Sequence, residues 1–166
     1  MMVLLSASFA SAFQVYGLLN TGVDDSGAVL PLYAVEQHYS VSGPVSVAYV
    51  VPQVSMYANP PVGSAWIGPN ATSSTYPSDP EGNYAYTVQF NLTEIGSDLL
   101  ELSGLWATDN SAQLWFNGHF TGSTKGLWGF TQFDPFTIRG GFVEGLNTLE
   151  FRIENELIGP NPTALC

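Results

Sequence analysis

Two oxygen-rich turns, Asp24-Asp25 and Asp109-Asn110, carry the side chains of this chain best suited to a hard cation, because Ca²⁺ takes carboxylate and amide oxygens from turns. Asp and Asn also cap their own backbone wherever a chain reverses, and on that reading no metal is bound. Hydrolysis of a glycosidic bond requires two carboxylates across a cleft. Asp24, Asp25, Asp79, Glu81, Asp98, Glu101 and Asp109 are numerous enough to contain such a pair. Most of them stand among Gly, Ser and Asn, which favours turn capping over catalysis. His38 and His119 are too far apart to form a metal-ligand motif by spacing, and the chain has neither an HExxH frame nor a GxSxG nucleophile elbow. Catalysis has no positive signal, so the expectation is a protein that is not an enzyme, with no cofactor beyond a structural calcium at those turns.

Aromatic side chains offer another chemistry. Trp66, Trp106, Trp115 and Trp128 could stack on the apolar faces of sugar rings, as the aromatics of carbohydrate-binding modules do. Trp106 shares a strand face with Leu100 and Leu102, which points to the core, whereas Trp115 points away from Leu114 and Phe116 and is expected at the surface. Trp115 and Trp128 are therefore the sugar-stacking candidates, and both would equally suit a subunit contact, where aromatics are enriched. Asn70-Ala71-Thr72 and Asn91-Leu92-Thr93 are sequons, which makes Asn70 and Asn91 the candidate glycosylation sites.

The elements that would position these residues are strands. Tyr84, Tyr86, Val88, Phe90 and Leu92 alternate with Ala85, Thr87, Gln89 and Asn91, and Leu149, Phe151 and Ile153 alternate with Glu150, Arg152 and Glu154. A period of two predicts strands buried on one face. Shorter β-rich runs at Leu99 to Ala107 and Ala112 to Phe116 flank the turn at 108–111, and Asn117-Gly118 marks another reversal. Further strands are expected at 38–41, 47–51, 65–68 and 133–138. The stretch from Gln53 to Pro80, rich in Pro, Ser and Asn, is expected to be a variable surface loop. No window has a 3.6-residue period with caps, and 17 Gly and 11 Pro interrupt every candidate helix. An all-β, antiparallel, jelly-roll-like sandwich of eight or nine strands follows, in one domain over 17–166 behind an extended arm at 1–16.

Three basic residues, Lys125, Arg139 and Arg152, stand against 14 acidic ones, for a net charge of -11. Such a chain repels a phosphate backbone, so nucleic acid is excluded as a partner, and no apolar run reaches the length of a membrane span. The single cysteine, Cys166, rules out an intrachain disulfide but leaves a thiol able to cross-link two chains.

The first residues admit two readings. Met1-Met2-Val3-Leu4-Leu5 followed by Ala10-Ser11-Ala12 has the apolar core and small-residue end of a secretory signal cleaved before Phe13, without its basic start. As a retained strand, Met1, Val3, Leu5, Phe9, Phe13 and Val15 form an apolar edge that must be covered. Covered by a neighbouring copy, the arm would generate an open head-to-tail filament.

Ordered blocks along the chain carry a family resemblance. Thr21-Gly22-Val23-Asp24-Asp25-Ser26-Gly27-Ala28-Val29-Leu30-Pro31, His38-Tyr39, Trp66-Ile67-Gly68-Pro69, Trp106-Ala107-Thr108-Asp109-Asn110, Asn117-Gly118, the blocks at 133–138 and 141–149, and Asn161-Pro162-Thr163 resemble a family of bacterial exported domains that often carry a PEP-CTERM sorting tail. The resemblance spans residues 21 to 165. It implies a secreted, galactose-binding-like sandwich without a settled activity. This sequence ends at Ala164-Leu165-Cys166 without such a tail, so a free or self-assembling product is expected ahead of envelope anchoring. The leading expectation is thus an extracellular filament subunit, its partners copies of itself, with a secreted carbohydrate-binding module as the alternative.

Overall fold

A computed structural model of the chain describes residues 3–7, 15–71, 79–93, 100–156 and 161–166. The fold is all-β and antiparallel. In chain order the strands are β1 (Val3–Ala7), β2 (Val15–Tyr16), β3 (Tyr39–Ser42), β4 (Tyr49–Val50), β5 (Ile67–Gly68), β6 (Gly82–Leu92), β7 (Leu100–Trp106), β8 (Thr108–Asp109), β9 (Ser111–Phe116), β10 (His119–Lys125), β11 (Asp134–Ile138), β12 (Gly145–Asn155) and β13 (Ala164–Leu165). A 3₁₀ turn at Gly129–Thr131 is the sole helical element among the described residues.

The two long alternating runs become the centre of the large sheet. β12 pairs with β6 along eleven register positions, from Gly145 opposite Leu92 to Asn155 opposite Gly82. β9 and then β10 extend the sheet on one side of β12, while β2 and β3 lie end to end along the outer edge of β6. Because side chains alternate across a strand, Tyr84, Tyr86, Val88, Phe90 and Leu92 all face inward with Leu149, Phe151 and Ile153.

That inner face packs across the sandwich on a three-stranded sheet, β1-β7-β11, and a four-stranded sheet of short strands, β4-β5-β13-β8. Phe151 sits at the crossing, its ring centroid 5.6 Å from Trp106, 6.4 Å from Phe136 and 6.4 Å from Tyr39. Burying each such ring removes it from water at roughly 1.5–3 kcal/mol. Trp106 belongs to this core, as its spacing with Leu100 and Leu102 predicts.

Several expectations need adjusting. The stretch from Gln53 to Pro80 is not a loose surface excursion where it is described, because Val54, Tyr57 and Trp66 are buried in a second core with Phe130 and Ala164. Tyr57 lies 4.4 Å from Trp66 and 5.4 Å from Phe130, so aromatic packing holds the segment down despite its prolines. Cys166 is fully buried, with Sγ 3.7 Å from both the Thr21 and Ser64 hydroxyls, so the thiol is not presented to a second chain.

The arm meets its own body. β1 pairs antiparallel with β7, Val3 opposite Gly104 through Ala7 opposite Leu100, and β2 then adds to the other sheet opposite Leu92 and Asn91. Val15 packs against the main core. Met1, Phe9 and Phe13 lie outside the described residues.

Candidate functional site

The outward face of the large sheet is where aromatic and polar chemistry come together. β9 alternates Ala112, Leu114 and Phe116 into the core with Ser111, Gln113 and Trp115 on the other side, so Trp115 stands at the surface as its neighbours predict. The register sets Trp115 between Phe120 on β10 and Glu150 on β12, and sets Gln113 beside Arg152. Trp115 Nε1 donates to Gln113 Oε1 at 3.2 Å, and its ring lies 5.8 Å from Phe120. The Arg152 guanidinium covers the indole at 3.9 Å from the ring centroid, while its Nε donates to Glu150. This cation–π contact holds one face of the ring, so an incoming sugar must take the other face or displace Arg152.

Beside this row the sheet surface sinks into an open depression of about 430 Å³, lined in part by Asn83, Ser111, Gln113, Thr124, Arg152 and Glu154. The lining mixes donors and acceptors at a fixed strand spacing, the pattern needed to hold hydroxyls.

Trp128, the second sugar-stacking candidate, is 63 % exposed beyond the end of β10, next to exposed Leu127 and edge-on to Phe130 at 5.6 Å. The fold does not bring it to Trp115. The register places Trp115 by the turn of the β9–β10 hairpin, opposite Phe120, and Trp128 past Lys125, at the other end. Of the two sequons, Asn91 points outward from β6 and Asn70 is half-buried.

The calcium candidates form two separate settings. Asp24 Oδ1 accepts from the Ser26 amide at 2.8 Å, the Ser26 hydroxyl at 2.6 Å and the Ala28 amide at 3.0 Å, a turn cap that holds its pKa down, chiefly through Ser26. Asp25 is exposed, 3.9 Å from His38. Asp109 and Asn110, joined by a cis peptide bond, lie inside the protein instead. Asp109 Oδ2 accepts from the Tyr57 hydroxyl at 2.6 Å and Oδ1 from Asn110 Nδ2 at 2.6 Å, so both oxygens are already engaged. Among the described residues no three His, Cys, Asp or Glu side chains gather as a metal site.

This buried polar knot was not visible in the sequence as a unit. Thr163 ties it to the last strand, its hydroxyl donating to Asp109 O at 2.6 Å and its amide to Asp79 Oδ2 at 2.9 Å. Asn161 Nδ2 bridges Asn110 Oδ1 and Asn155 Oδ1. Burial pushes the Asp109 carboxyl up to about 7 against the opposing Tyr57 hydrogen bond, with the Asp79 charge adding to the rise. Burial likewise raises Asp79, against the Thr163 amide. Of the other acidic residues named as catalytic candidates, Glu101 pairs with Arg139 and Glu81 is exposed, while Asp98 lies outside the described residues.

No protein-family model matches this chain, and no curated protein matches it.

Proposed function

We propose that this chain is a non-catalytic carbohydrate-binding module that acts outside the cell, with the outward face of β9, β10 and β12 as its binding surface. The observation that carries the reading is the row Phe120, Trp115, Arg152 and Glu150, aromatic and polar groups held in strand register beside a polar depression. A sugar has apolar ring faces and a rim of hydroxyls, and it needs both kinds of group within one ring's width. The sequence blocks that resemble exported bacterial sandwiches support the location. The acidic balance of the chain suits neutral glycans better than polyanions.

Screening the purified protein against immobilised neutral glycans tests this reading. Saturable binding to at least one glycan class is expected, and no binding to any of them at millimolar sugar would overturn it.

A second reading, the filament subunit, is favoured by one observation: β1 stands at the edge of its sheet, with β7 as its pairing strand among the described residues. An element of this kind can be exchanged between copies with the same pairing. It takes second place because residues 3–7 already cover the β7 edge of their own body.

A further inference from the structure

The basic residues of this chain are three, and two of them are spent on the fold. Lys125 Nζ is buried and donates to Asp134 at 2.7 Å and to the Gln132 carbonyl at 3.0 Å. Arg152 lies on Trp115 and pairs with Glu150. Arg139 differs. Its side chain is 75 % exposed, and its Nε donates to Glu101 at 2.9 Å. A guanidinium carries five N–H donors, and among the described residues the four on its two terminal nitrogens have no partner.

Arg139 stands at the end of β11 on the wall of a second cleft, of about 330 Å³, whose other lining includes Phe116, His119, Phe120, Thr137 and Ile138. Two of its lining residues, Phe116 and His119, flank the tight turn at Asn117-Gly118, where both residues have positive φ (46° and 78°), the geometry Asn-Gly supplies in a two-residue hairpin. Asn117 Nδ2 donates to the Gly141 carbonyl at 2.7 Å, which fastens the β9–β10 turn to the segment that follows Arg139. Gly140 and Gly141, which follow Arg139 in the lining, contribute no side chain to it. Phe120 is shared: it lines this cleft and also abuts Trp115 on the sheet face.

We infer that this cleft takes the carboxylate of a single uronic acid unit within an otherwise neutral glycan, the carboxylate on Arg139 and the sugar ring against Phe120. The proposal rests on the carbohydrate-binding reading and names the sugar class that reading would favour. A planar guanidinium matches a carboxylate with two parallel N–H donors, which a neutral hexose cannot exploit. The exposed His119 ring and Thr137 hydroxyl, both in the lining, add hydrogen-bonding groups for the sugar's own hydroxyls. The cleft is wide enough for one monosaccharide ring. The net charge of -11 sets the limit on charge density, since a polyuronate is repelled by the rest of the surface far more strongly than an isolated uronate.

The test is an NMR titration of the whole chain with methyl glucuronoside and methyl galacturonoside, each set against its methyl ester and the matching neutral hexoside. At least one acid is expected to bind roughly tenfold tighter than its ester, shifting resonances of Phe120 and Arg139, and Arg139→Gln is expected to abolish that preference while leaving neutral-glycan binding in place. Equal affinity of acid and ester, or an acid preference that survives Arg139→Gln, overturns the cleft proposal and leaves the module reading standing. Shifts produced equally by glycolate would assign the cleft to carboxylates in general and overturn the sugar assignment. If none of these glycosides binds, the cleft proposal falls, and the module reading stands or falls with the glycan screen.

Discussion

The Tyr57 hydroxyl donates to Asp109 Oδ2 at 2.6 Å across 52 residues of sequence, and this bond joins the aromatic second core to the polar knot beneath the last strand. Both partners are almost wholly buried, at 5 % and 2 % exposure. A carboxyl held there prefers to keep its proton, which gives the fold a pH dependence with a definite sign.

In the unfolded chain Asp109 titrates near its ordinary value of 3.8, and in the fold it titrates at about 7. Between those values the folded chain holds a proton that the unfolded chain has released. Its contribution is therefore fully present below about pH 4 and is lost as pH rises through 7. Asp79, raised by the same cause, acts in the same direction. The expected outcome is a higher Tm at pH 5 than at pH 8, with a smaller difference in Asp109→Asn. An equal or larger difference in the variant would remove Asp109 as the source.

Tyr57→Phe takes away the one hydroxyl that offsets the burial of the Asp109 charge. The expected cost is about 1–3 kcal/mol, larger at pH 8 than at pH 5, because the penalty falls on the ionised form. Urea unfolding at the two pH values measures it.

Much of the fold was legible in the sequence because its two central strands follow a period of two, so β6 was readable almost to its ends and β12 over 149–154, but not over its first four residues, where buried Asn147 stands in place of an apolar side chain. β10 was not, since the run His119–Lys125 has no alternating apolar face: it sits at a sheet edge, with Phe120 outward and Lys125 inward. Trp115 could be placed from Leu114 and Phe116 alone, but Arg152 on its ring could not, because that contact depends on the register between β9 and β12. Likewise the acid cluster joins residues 57, 79, 109 and 163, a union set by tertiary packing with no local signature. Proline and serine content misled over the described residues 53–71, where buried Tyr57 and Trp66 decide the outcome.

At the crossing of the two layers, Phe151 touches Tyr39, Trp106 and Phe136 and has no exposed surface. Phe151→Ala leaves a cavity among three rings and is expected to destabilise the protein by about 3–5 kcal/mol. A loss below about 1 kcal/mol by thermal or denaturant unfolding would contradict this packing.

Asn147, fully buried, accepts from the Val143 amide and from Asn117 Nδ2 through Oδ1, and its own Nδ2 donates to the Val143 and Gly145 carbonyls. Asn147→Ala should cost on the order of 3 kcal/mol and loosen the Asn117 turn that shapes the cleft by Arg139. Faster amide exchange is expected at 117–121 and 141–143. Unchanged protection there would show that the turn holds itself.

Deleting residues 1–12 removes β1 and uncovers five register positions of β7. Bare strand edges invite pairing, so the truncated chain is expected to lose stability and to self-associate as its concentration rises, and an added peptide of residues 1–12 should reverse both. Should the full chain assemble into filaments while the truncated one remains monomeric, the strand-exchange reading would move ahead of the glycan reading.

The central claim is that the sheet face around Trp115 holds a glycan, and the direct measurement is calorimetric titration of wild type, Trp115→Ala and Trp128→Ala with whichever glycan the wild type binds. Loss of binding in Trp115→Ala, with Trp128→Ala equal to wild type and the Tm of both variants close to it, is the predicted result. Undiminished affinity in Trp115→Ala would contradict the account.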